Sequence, residues 1–248
     1  MASTPVSSKK RKAAEETTLQ HGVRGRLAEA PKTGTRTVAV HVGDGTRMKT
    51  FDVYQDVVVR HSEFFKAALK PETWKEGQER SVSLPEDHAK YFEIFFHFLN
   101  SGRVFSDRDD YNTETKVDYE WFQLINCWAL GHKLLSTSFR DAVLDAITTK
   151  MMDDNRWCLD LYRESFKKST PSPKFRCLLA DIVVYMYTDE DWKDCEDIVK
   201  FPEHLLDVAK AFDKIKVSGR SATAPWTNND CTYHEHVADG TPCYKTLF

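Results

Sequence analysis

The chain has 248 residues, 41% of them hydrophobic and 12% aromatic, enough for one large domain or an average one with an extension. A net charge of −3 offers no overall positive field for nucleic acid or an anionic membrane, so partners must be chosen by local patches. No run approaches the roughly 18 apolar residues of a membrane helix.

Residues 1–34 are rich in Ser, Thr, Lys, Glu and Ala and poor in large apolar side chains. Such a segment buries too little to offset its ordering entropy, and disorder is predicted. It lacks the apolar core of a secretory signal, so the expected compartment is reducing, the nucleus or cytoplasm. Lys9, Lys10, Arg11 and Lys12 form a basic run that reads either as a nuclear import signal or as a solvated tail.

Thr37–Val42 is β-branched, Lys49–Tyr54 alternates, and Asp44-Gly45 lies between them, which predicts a β-hairpin. Helical spacing follows, with Val57, Val58, Phe64, Phe65 and Leu69 on one stripe ended by Pro71. Ser81–Leu84 is a short strand. Tyr91, Phe92, Phe95, Phe96 and Leu99 predict an aromatic core helix closed by Gly102. Arg103–Phe105 is a further candidate strand.

Residues 106–119 form an acidic loop in which Asp109-Asp110 has nothing apolar beside it to shift a pKa. Helices are predicted over Trp121–Leu135 and Phe139–Met152, with Ser138 as the second N-cap. Beyond residue 152 come helical segments at Trp157–Phe166, Phe175–Tyr187 and Phe201–Phe212. Cys127, Cys158, Cys177 and Cys195 lie in these helical regions and are expected as small apolar fillers.

The last 32 residues turn polar but carry Cys231, His234, His236 and Cys243, donors of the kinds zinc prefers, within thirteen residues. Gly240 and Pro242 can turn the chain back, and the two histidines would share a face if extended. Three readings stand: a Cys₂His₂ zinc site fastening the tail, a metal-free packed loop, and a Cys231–Cys243 disulfide.

The order of elements resembles the BTB/POZ domain, especially the stand-alone form common in fungi. The residues that carry the likeness are Phe51-Asp52-Val53-Tyr54, Val57-Val58, Ser62-Glu63-Phe64-Phe65 and Leu84-Pro85-Glu86-Asp87. With them go Phe92-Glu93-Ile94-Phe95, Leu99 with Gly102, Leu130-Gly131-His132-Lys133-Leu134 and Ala142-Val143-Leu144-Asp145. The tail also resembles a Cys-Tyr-His-x-His…Cys ending that recurs in such fungal proteins. Where the family usually has His at the end of the second strand, this chain has Tyr54, expected to be a partly buried ring.

The resemblance implies an α+β fold, a small mixed sheet covered by helices, over residues 35–152. An all-α extension over 153–216 and the Cys/His tail over 217–248 would follow. It implies protein binding: a homodimer formed through Val57, Val58, Phe64 and Phe65 with an edge strand at Val38–Val42. It also implies cullin docking, as a ubiquitin-ligase adaptor, near Phe105 and Trp121. The alternative is a nuclear transcriptional cofactor acting through protein contacts, with no direct nucleic-acid or membrane binding. The chain carries no nucleophile elbow, phosphate loop, dinucleotide fingerprint or zinc-protease motif, and adjacent His61, Ser62 and Glu63 cannot line up on a helix as a triad. No catalytic role is expected.

Overall fold

The computed structural model describes residues 32–70, 79–108, 111, 112, 114, 117–154, 161–168, 172–193, 200–219, 223–228 and 230–248. The Lys9–Lys12 run, Asp109-Asp110, Trp157, Cys158 and Cys195 lie outside them.

Strands β1 (Thr37–Val42) and β2 (Lys49–Tyr54) pair antiparallel, with Val38 opposite Val53 and Val40 opposite Phe51. The period of two sends Val38, Val40 and Val42 into the core. The predicted two-residue turn is instead a longer connection holding a 3₁₀ turn at Gly45–Arg47. Strand β3 (Ser81–Leu84) runs parallel to β1 on its other side, giving the order β2-β1-β3. β1 is therefore the central strand. The expectation that Val38–Val42 offers an edge for self-pairing is corrected, because both of its sides already carry ladders.

The first helical stripe divides into α1 (Gln55–His61) and α2 (Glu63–Ala68). Ser62 is extended between them; its Oγ accepts from Phe65 N–H at 3.2 Å and donates to the Leu134 carbonyl. One hydroxyl thus caps a helix and ties it to a segment 72 residues away.

Helix α3 (Ala89–Ser101) buries Phe92, Phe95 and Phe98. Gly102 ends it with φ 68°, the left-handed C-cap a side chain resists. Arg103–Phe105 is not a strand. Helices α4 (Tyr119–Lys133) and α5 (Thr137–Asp154) form the antiparallel pair that follows. A Cβ on Gly131 would stand 2.9 Å from Arg140 Cγ, which is why α4 and α5 approach closely there. Phe139 of α5 meets Phe95 at 5.0 Å and Phe98 at 5.2 Å, centring the core on aromatic rings. The cap of α5 corrects the expectation. Ser136 Oγ accepts from Phe139 N–H, whereas Ser138 pairs with His61 Nδ1 at 3.0 Å.

The acidic loop contains a small hairpin, β4 (Tyr111–Asn112) with β5 (Val117–Asp118). Helix α6 (Leu161–Lys168) precedes α7 (Pro173–Met186), capped by Ser172 Oγ on Phe175 N–H. After the short α8 (Asp189–Lys193), α9 (Pro202–Ser218) packs Val208 against Ala180, Val183 and Val184 of α7. Phe175 lies 4.8 Å from Trp128, so the extension shares the core of the preceding helices. Trp226 and Tyr233 bring the tail into that same core, and Lys32–Phe248 forms one unit. The class is α+β: a three-stranded mixed sheet beneath a larger helical body.

Cys127 is buried as expected, but Cys177 is exposed. Tyr54 is exposed too, not the partly buried ring expected.

Candidate metal centre

The tail winds into a compact knot. Trp226 anchors its start and Tyr233 is held by its hydroxyl, which donates to Asp181 Oδ2 of α7 at 2.7 Å. Between them Cys231 opens a turn closed by His234 N–H to the Cys231 carbonyl at 3.1 Å. His236 starts the one-turn helix α10 (His236–Asp239), ended by Gly240 at φ 65°. Cys243 precedes a 3₁₀ turn at Tyr244–Thr246.

These turns bring together all four predicted donors. One ligand atom from each of Cys231, His234, His236 and Cys243 lies within 4.8 Å of the others. The two histidines do not share the face of an extended strand, as expected from their spacing. They sit on a turn leading into α10, with ring centroids 5.2 Å apart. Both rings are buried and both cysteines half-buried.

The sulfurs of Cys231 and Cys243 stand 3.9 Å apart as free thiols. A disulfide needs about 2.05 Å, whereas a tetrahedron with metal–sulfur bonds of about 2.3 Å has sulfur–sulfur edges of about 3.8 Å. Cys243 Sγ also lies 3.9 Å from His234 Nδ1. The cluster therefore has the donor set and spacing to hold a metal ion.

Helix α5 supplies the surroundings. His234 Nε2 is 2.9 Å from Asp145 Oδ1, and His236 Nδ1 is 2.7 Å from Asp141 Oδ2. A carboxylate accepts, so those nitrogens carry the protons, and the opposite lone pair of each ring is left for the cluster. Burial pushes the Asp145 carboxyl up, but hydrogen bonds from His234, Tyr244 and Lys245 outweigh it and hold it below the usual carboxylate range. Burial raises the Cys231 thiol, and the neighbouring Cys243 adds to the effect. Beside the cluster, Arg140 pairs with Glu235 at 2.5 Å, both largely buried.

Asp141 and Arg140 were not singled out by their sequence pattern, and Asp145 only as part of the Ala142–Asp145 likeness, with no role beside the cluster. Their only signal is two acids four residues apart on one helix face, which ordinarily marks a solvated side.

The residues predicted for partner contact separate into two groups. Val57, Val58, Phe65 and Trp121 are buried in the chain's own core, which corrects their reading as surface; Phe64 is partly buried. Phe105 is exposed, with His97 and Arg103 against its ring. The loop after it folds back onto α4: Ser106 Oγ donates to Glu120, and Asp107 N–H to Gln123 Oε1. Sequence reasoning also missed Lys150, a buried cation with Asp118 and Glu120 at 2.7 Å and Asp154 at 2.8 Å.

The chain matches no family model and no curated protein.

Proposed function

We propose that the chain is a protein-interaction module of the BTB/POZ kind, acting by association rather than catalysis, with its C-terminal tail closed by a structural zinc ion. The reading is carried by one observation: the succession of antiparallel hairpin, paired short helices, a strand parallel to the first, aromatic helix and antiparallel helix pair. The motif resemblance implies the order hairpin, helix, short strand, aromatic helix and helix pair, with which this succession agrees. For the metal, a Cys₂His₂ donor set suits zinc by softness and geometry, and four protein ligands complete a tetrahedron with no position open to substrate.

With Val57, Val58 and Phe65 in the core, the surface offered to partners falls elsewhere. Over the described residues of 35–152 the exposed large apolar side chains are Met48 and Tyr54 of the sheet side, Phe105 and Tyr119 beside the folded loop, and Leu135 and Met152. The sheet side is assigned to self-association and the loop side to cullin docking. Light scattering of the purified chain and capture with immobilised cullin test the two roles separately. A dimer dissociated by Tyr54→Arg, and cullin capture abolished by Phe105→Asp, are the expected results. A strict monomer that captures no cullin would sink the reading.

A further inference from the structure

The carboxylates that orient both candidate histidines stand four residues apart on α5, and their donors come from the tail. Asp141, fully buried, also accepts the backbone N–H groups of Glu235 at 2.7 Å and His236 at 3.3 Å. Asp145 also accepts the Tyr244 hydroxyl at 2.6 Å and the Lys245 ammonium at 2.9 Å. A buried carboxylate is costly without donors, so Asp141 is poorly placed unless the tail is docked, and Asp145, part-exposed, draws its donors from the same tail.

Past Cys243 the same segment runs to Phe248. Its ring stacks on His61 at 5.0 Å and meets Phe98 at 5.3 Å. It fills space that any Cβ on Gly102 would occupy, since that atom would stand 2.5 Å from the ring. The end of the chain thus covers a seam between α1 and α3, and Cys243 lies five residues before that cover.

Building on the zinc assignment, we propose that Asp141 and Asp145 are positioning residues of the metal centre, and that the ion they steady locks the tail onto α5 and seats Phe248 on the α1–α3 seam. Each acid fixes the tautomer of its histidine and aims the remaining lone pair at the cluster, the arrangement that raises affinity at histidine-ligated zinc. Docking assembles four donors that an undocked tail would hold apart. Metal binding and docking are then linked, and linkage is reciprocal: whatever loosens Phe248 weakens the metal, and losing the metal frees Phe248.

The test uses the full-length chain loaded with zinc, with zinc affinity read by competition against a chromophoric chelator. Hydrogen exchange at residues 244–248 reads docking. Asp141→Asn and Asp145→Asn keep an acceptor in place while removing the charge. Each is expected to retain its helical circular dichroism, to lose zinc affinity by about 10- to 100-fold, and to shift the absorption bands of the cobalt-substituted chain. Phe248→Ala, which removes none of the four donors, is expected to lower zinc affinity several-fold. Stripping the zinc is expected to abolish protection at 244–248.

Asn variants and Phe248→Ala that bind zinc as the wild type does would overturn the proposal, as would protection at 244–248 indifferent to zinc. Both outcomes would leave the zinc assignment standing. A wild-type chain that binds no zinc removes that assignment instead, and the proposal with it.

Discussion

At the scale of single residues, Gly102 answers two demands at once. Its φ of 68° disfavours any side chain, and the Phe248 ring occupies the volume a Cβ would need. Gly102→Ala is expected to cost roughly 1–2 kcal/mol in urea unfolding, from left-handed strain plus displacement of the ring. In a Phe248→Ala background only the strain remains, so the cost should fall; an unchanged cost would show that the ring contact contributes nothing. His61 makes a different prediction. Its burial, and then the cation of Arg60, hold its pKa down to about 4, against 6.5 for the free side chain. Between these values the unfolded chain takes up a proton that the folded chain refuses. Stability is therefore untouched above pH 6.5 and declines as pH falls towards 4. Replacing His61 with Gln removes this contribution, and the loss of stability over that interval should shrink by up to roughly 3 kcal/mol. Acid titrations of wild type and variant that run parallel would contradict it.

At the scale of elements, hydrophobic period made the hairpin, the aromatic helix and the α4–α5 pair legible, because each buries one face against one core. What escaped was decided by single polar contacts. Ser62 splits the first helical stripe because its hydroxyl bonds Leu134 across the fold, and Ser136 rather than Ser138 caps α5 because His61 engages Ser138. A serine in sequence does not reveal which partner it will find. Lys150 belongs to the same class: inside α5 it reads as a solvated charge, yet it joins Asp118, Glu120 and Asp154 from three points of the chain. Burial opposes its charge, but the three carboxylates prevail and raise its pKa above that of free lysine. Lys150→Met would leave Glu120 and Asp118 without this cation, and a loss of about 3–5 kcal/mol is expected. Asp154→Asn, at the exposed side of the network, should cost much less. Equal losses in denaturant titrations would mean the network is not centred on the lysine.

At the scale of the whole molecule, composition divided the chain more sharply than packing does. The extension and the polar tail read as separate segments, yet Phe175 packs on Trp128, and Trp226 and Tyr233 enter the common core. The four donors of the candidate metal centre were legible because they fall within thirteen residues. Their supporting acids were not, since Asp145 and Asp141 lie 89 and 95 residues before the histidines they orient. A tail this polar is ordered by specific bonds to acids on α5 and α7, and a structural zinc, worth on the order of 10 kcal/mol in small zinc-binding peptides, would add greatly to them.

Native mass spectrometry of the full-length chain, expressed with zinc supplied and measured before and after a chelator, bears most directly on this account. One zinc per chain is expected, lost on chelation and absent when both Cys231 and Cys243 are replaced by Ala. A wild-type chain that shows only its metal-free mass, both before and after the chelator, would contradict it.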